Sequence, residues 1–136
     1  MISERYALMI EAETEHYMEK PKNELAELSI AFATRIVRMY KYLIREKEEA
    51  IISKQIMRSG TSIGANIHEA NYAQSKADFV SKLHIALKET AETEYWLRLL
   101  AASEYIDENT YESMLGDCLS IKRILITSLN TAKKER

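Results

Sequence analysis

A chain of 136 residues with a formal charge of −2 is long enough for one well-formed core and too short for two ordinary domains. Three Gly and one Pro leave too few turn residues for a β-sandwich or a glycine-rich α/β sheet, whereas the abundant Ala, Leu, Ile, Glu and Lys favour helices, so the class is all-α. The near-neutral charge argues against a surface that binds polyanions throughout. No apolar run reaches the ~18 residues of a bilayer span or follows the basic-then-apolar order of a signal peptide, so a cytoplasmic protein with no membrane partner is expected.

The first 20 residues hold five acids (Glu4, Glu11, Glu13, Glu15, Glu19) against Arg5 and Lys20. This stretch has weak periodicity and ends at Pro21, so residues 1–21 read as an acidic N-terminal arm, followed by a helical body over 22–132 and a basic tail over 133–136. In helix one, from Lys22 to about Glu46, Leu25, Leu28, Phe32, Ile36, Met39 and Leu43 recur every three or four residues and share a face. A second stripe, Ala26, Ile30, Ala33, Val37, Tyr40 and Ile44, widens the apolar arc to nearly ~200°, about twice what a surface helix of a lone bundle needs. Self-association into a homo-oligomer is the expectation. The run Arg45 to Glu49 reads as a solvated connection.

Helix two follows, with Ile52, Ile56, Ile63 and Ile67 as its stripe to about Ala70. Ser75 caps helix three, with Asp78 in the reciprocal position, and that helix runs to about Ser103. Asp107 or Asn109 caps helix four, whose apolar residues Tyr111, Met114, Leu115, Cys118, Leu119, Leu125 and Leu129 lead into Lys133, Lys134 and Arg136. Short connections between four helices predict an antiparallel up-down-up-down four-helix bundle with an N-terminal extension.

Helix two is the most unusual segment. Gly60 and Gly64 each cost about 1 kcal/mol in a helix interior relative to Ala, and with Ser59, Ser62 and Ala65 nearby they read as a small flank for close backbone approach. Arg58, Ser62, Asn66 and Glu69 form a polar stripe beside the core, with His84, Lys88, Glu89, Glu92 and Tyr95 of helix three as candidate partners. We read Arg58, Ser59, Gly60, Ser62, Gly64, Asn66, Glu69, Lys88 and Glu92 as a seam that fixes register between helices or subunits. Arg38, Lys41 and Arg45 on helix one, with Lys133, Lys134 and Arg136 at the tail, are the candidate RNA or DNA contacts.

A di-iron site would need two Glu-x-x-His motifs on facing helices. Glu13 and His16 supply one, in the arm, and neither His68 nor His84 has an acid three residues before it. Cys118 reads as a small core hydrophobe in a reducing compartment, with no positioned base to activate it. No catalytic residue, cofactor site or metal ligand is assigned, and the chain is read as a non-enzyme.

Gln55, Ile56, Arg58, Ser59, Ser62, Ile63, Ala65, Asn66, Ile67 and Glu69 spell Gln-Ile-x-Arg-Ser-x-x-Ser-Ile-x-Ala-Asn-Ile-x-Glu. This element resembles the four-helix-bundle proteins called 23S rRNA intervening-sequence proteins, over about Lys22 to Leu129. Where many members have Ala-Arg-Gly-Ser, this chain has Ala86, Leu87, Lys88 and Glu89, which resembles a variant subgroup with Lys-Glu-x-x-Glu-x-x-Tyr-Trp at Lys88 to Trp96. The resemblance implies a bacterial homopentamer of unknown function, without catalysis. A related branch, the accessory variability proteins of diversity-generating retroelements, implies pentameric rings that bind nucleic acid and a reverse transcriptase. Two expectations result: a non-catalytic oligomeric scaffold, or an RNA- or DNA-binding accessory factor associated with ribosomal RNA or a reverse transcriptase.

Overall fold

Helices start in this chain where a side-chain oxygen can meet backbone N–H groups that have no partner of their own. The computed structural model describes residues 23–135, so the acidic arm, with Pro21 and the Glu13–His16 pair, and the terminal Arg136 lie outside the described residues. Within them α1 spans Glu24–Arg45, α2 Ile52–Ala70, α3 Lys76–Ala102 and α4 Glu108–Lys134. Asn23 caps α1 by accepting from the Ala26 N–H at 3.2 Å. Asp107, not Asn109, caps α4, accepting from Thr110 at 2.7 Å. Ser75 caps α3 by accepting from the Asp78 N–H at 3.1 Å, but the Asp78 carboxylate reaches past the cap to the N–H of Gln74.

The start of α2 corrects the sequence reading. Ile51 offers no capping oxygen, and Glu49 takes that part from two residues upstream. Its carboxylate accepts from the N–H groups of Ile51, Ile52 and Ser53 at 2.9, 2.8 and 2.7 Å, and the Ser53 hydroxyl donates to the Glu49 carbonyl at 2.8 Å. Glu49 is therefore buried at 7% exposure, not part of a solvated connection. Burial raises its pKa, but the N–H bonds from Ile52, Ser53 and Ile51 outweigh that and hold it below the usual carboxylate value.

Two connections turn through the left-handed region without glycine, at Glu48 (φ 53°) and Glu104 (φ 64°). At the end of α3 the Glu104 and Tyr105 N–H groups donate to the carbonyls of Ala101 and Leu100, closing the helix in a Schellman motif whose left-handed position usually holds Gly.

Each helix packs on the next, and α1 closes the ring against α4. The directions alternate, so the starts of α1 and α3 share one end of the bundle with the ends of α2 and α4. Phe32, Ile36 and Leu43 of α1, Ile56, Ile63 and Ile67 of α2, Leu83, Leu97 and Leu100 of α3, and Met114, Ile121 and Leu125 of α4 are fully buried at the centre. Each contributes about 1.5–3 kcal/mol relative to exposure. The all-α four-helix bundle expected from the periodicity is the observed fold.

Candidate subunit-contact face and helix seam

On the flank of α2 that meets α1, a Cβ built on Gly60 would lie 2.8 Å from Ile36 Cγ1, and one on Gly64 would lie 3.3 Å from Ser29 Oγ. Glycine at Gly60 thus lets the α2 backbone settle on a fully buried isoleucine. The opposite flank meets α3 through hydroxyls. Thr93 Oγ1 lies 2.8 Å from the Glu89 carbonyl and 2.9 Å from Ser59 Oγ. With one proton on each hydroxyl, Thr93 donates to the carbonyl and accepts from Ser59. Both side chains are fully buried, and among the described residues no buried side-chain N or O lacks a partner.

Outside this hydroxyl pair runs a line of charge. Arg58 pairs with Glu92 and, at 3.3 Å, with Glu89, while Glu92 also accepts from the Trp96 indole N–H at 2.9 Å. Farther along, Glu69 pairs with Lys82 at 3.1 Å. From Arg58 to Glu69 the chain advances 11 residues on α2 while the partner retreats 10 on α3, from Glu92 to Lys82, the register of an antiparallel pair. Asn66 donates to the Ser62 carbonyl at 2.8 Å, and both are half-buried. Of the residues read as a seam, Arg58, Ser59 and Glu69 thus meet α3, Glu92 of α3 meets Arg58, and Gly60 and Gly64 face α1. Asn66 bonds within α2, to the Ser62 carbonyl one turn back, and Lys88 is exposed. His84 and Tyr95 are exposed as well, with the Tyr95 ring edge-on to Trp96 at 4.9 Å.

Sequence reasoning missed Lys82, although it lies seven residues before Glu89 on the same stripe of α3. It also missed Lys122–Glu94 at 3.2 Å and Arg35–Asp117 at 2.6 Å. Arg35 further donates to Ser113 Oγ at 2.8 Å, tying α1 to α4.

The outer surface of α1 divides in two. Ser29 and Ile36, which face the α2 glycines, lie beside the second apolar stripe, in which Ile30 is 63% exposed and Ala26, Ala33, Val37, Tyr40 and Ile44 are half-buried. Arg38, Lys41 and Arg45 lie farther round, opposite the core stripe. They are exposed, and among the described residues none of them is in an ion pair. Lys133 and Lys134 form the last turn of α4 and are exposed.

Cys118 is fully buried, its thiol 3.6 Å from the Thr90 carbonyl it donates to. Burial, reinforced by the nearby Glu94 carboxylate, pushes its pKa up to about 12, so at neutral pH it is a protonated core side chain. Among the described residues no three His, Cys, Asp or Glu side chains gather closely enough to hold a metal, and no helix is long and apolar enough to cross a membrane.

The α2 segment that carries both flanks sits within a stretch, residues 21–127, that matches the family model of the 23S rRNA-intervening sequence protein. The chain belongs to that family. A crystal structure of a protein of unknown function from the S23 ribosomal protein family of Bacteroides thetaiotaomicron is similar at 55% identity and a TM-score of 0.77. The match covers 77% of this chain and 97% of that one. No curated protein matches. The matched span takes in α1, α2 and α3 and most of α4, and residues up to Lys20 precede it.

Proposed function

We propose that this chain is a non-catalytic helical building block that assembles with copies of itself through the second apolar stripe of α1, as a ring of five. The observation that carries this reading is the exposure of that stripe. Ile30, 63% exposed, stands in a line of apolar side chains whose other members, Ala26, Ala33, Val37, Tyr40 and Ile44, are only half-buried by the described helices, and continuous apolar patches mark association surfaces. The ion pairs of α2 are made within the bundle, with α3, and of the exposed large apolar side chains on the four helices Ile30 is the most exposed, ahead of Tyr95, Tyr42, Ile126, Leu119 and Ile85. The number five comes from the family resemblance.

Ile30→Glu tests this. It places a charge where a single chain has space and a partner would not, so light scattering should show the assembly falling to monomer while the helical circular dichroism is unchanged. A wild-type protein that is already monomeric at micromolar concentration, or an Ile30→Glu protein of unchanged mass, overturns the reading.

A second reading rests on the neighbouring face: Arg38, Lys41 and Arg45, which make no ion pair among the described residues, form a cationic stripe suited to RNA or DNA phosphates. Binding of this kind weakens steeply with salt because each contact displaces a counterion. Replacing all three by Ala should lower the salt slope by roughly three phosphate contacts' worth. Unchanged binding in the triple variant, or only millimolar affinity for the wild type at low salt, rejects it.

A further inference from the structure

At the end of the bundle where α1 and α3 finish, an open cleft of about 760 Å³ lies between the last turns of these helices and the start of α4. A second, of about 460 Å³, continues it between α1 and α4, and the two share Tyr42, Ile106 and Asp107. The floor is apolar, with Met39, Ile106 and Met114 buried. Three phenol rings border it. Tyr105 and Tyr111 are half-buried and pack against the core, whereas Tyr42, 44% exposed, leaves much of its ring in solvent.

Beside Arg35, which is held by Asp117, three cations line the same cleft: Arg38 on α1, Lys47 just beyond it and Arg98 on α3. Among the described residues none of the three is in an ion pair. Tyr42 follows Arg38 by four residues and precedes Arg45 by three, the spacing of neighbours on a helix surface. The exposed ring therefore stands where the stripe of Arg38, Lys41 and Arg45 meets the cleft. The acids of the cleft, Glu104, Asp107 and Glu108, come from the α3–α4 side, and Asp107 is engaged in capping α4. Phosphates are thus favoured along α1 and disfavoured across from it, with an apolar, ring-lined hollow beside them. A cationic track next to an aromatic platform suits a single strand, because an unpaired base has a face to stack on a ring, whereas a duplex keeps its bases stacked on one another. We infer that this face selects single-stranded nucleic acid, with phosphates on Arg38, Lys41 and Arg45 and a base stacked on Tyr42 over the cleft. This rests on the second reading above and adds to it the form of the strand.

Fluorescence anisotropy on the full chain tests it, with labelled RNA and DNA strands of about 12 nucleotides and the duplex of each. At least one strand should bind more tightly than its own duplex, although the duplex carries about twice the phosphate charge. Tyr42→Ala should weaken that strand roughly five- to hundred-fold, the range for one base stacked on one ring, and leave its salt slope unchanged, since stacking displaces no counterion. Tyr42→Phe keeps the ring and should bind as the wild type does. Neither strand binding better than its duplex, a Tyr42→Ala protein that matches the wild type, or a Tyr42→Phe protein as weak as Tyr42→Ala overturns the inference. The second reading survives any of these if the triple alanine variant still lowers the salt slope. Absence of binding by every strand and duplex at low salt overturns both.

Discussion

Glu49→Ala should destabilise the fold by about 2–3 kcal/mol, because three N–H groups at the start of α2 lose a charged acceptor and Ile51 offers none in its place. The same carboxylate gives stability a pH dependence of known sign. Its pKa is lower folded than unfolded, since the N–H bonds to its anion outweigh the opposing effect of burial. Its contribution is therefore fully present above the unfolded value, near 4.5, and is lost as pH falls through the lower folded value. Glu49→Gln keeps an acceptor oxygen but cannot titrate. It should cost about 1 kcal/mol at neutral pH and flatten the acid limb of the stability curve. Urea melts of the three proteins at pH 7 and in steps down to pH 3 measure both effects. Equal midpoints for wild type and Glu49→Ala, or an unchanged acid limb in Glu49→Gln, would mean that the cap contributes nothing.

Why Glu49 escaped the sequence reading shows where such reading stops. Leu25, Phe32, Ile36, Met39 and Leu43 were legible as a core face because helical periodicity is a local property, and all five are buried. Ser75 and Asp107 were legible because they immediately precede the helices they cap. Glu49 sits two residues before the cap position, inside the run Arg45 to Glu49, where charge ordinarily signals solvent. Nothing local says that the chain will bend its carboxylate back onto α2. The left-handed turns at Glu48 and Glu104 were hidden for a related reason, since glycine is the local signal for that conformation and neither position has it.

The seam was legible only by halves. Arg58, Ser62, Asn66 and Glu69 could be grouped on one stripe, and Glu89 and Glu92 on another, but pairing them requires the offset between two antiparallel helices. That offset is a tertiary quantity, and so Lys82, the partner of Glu69, went unnamed while Lys88, which is exposed, was included. The wide arc of α1 was a stronger signal because it needs no register. The breadth of an apolar stripe can be read from one helix alone, and of the second stripe Ile30 is exposed while the other five members are half-buried.

The three glycines, Gly60 and Gly64 in α2 and Gly116 in α4, lead to the last prediction, in which one substitution changes sign with position. Gly60→Ala should destabilise by up to about 2 kcal/mol, whereas Gly116→Ala should stabilise by up to about 1 kcal/mol. Both replacements gain roughly 1 kcal/mol of helix propensity. At Gly116 an added Cβ meets nothing within 4 Å, so only that gain remains. At Gly60 the Cβ would lie 2.8–3.0 Å from three side-chain carbons of Ile36. Ile36 is fully buried and cannot swing aside, so overpacking of about 1–3 kcal/mol outweighs the gain. Gly64→Ala falls between, since its nearest neighbour is the small Ser29 hydroxyl at 3.3 Å. The cause can be isolated by a double-mutant cycle. In an Ile36→Ala background, itself about 2–5 kcal/mol less stable, the obstructing carbons are gone and Gly60→Ala should become neutral or stabilising. If Gly60→Ala is equally damaging with and without Ile36, close packing against α1 is not the reason for glycine there, and a contact outside the single chain would have to supply it.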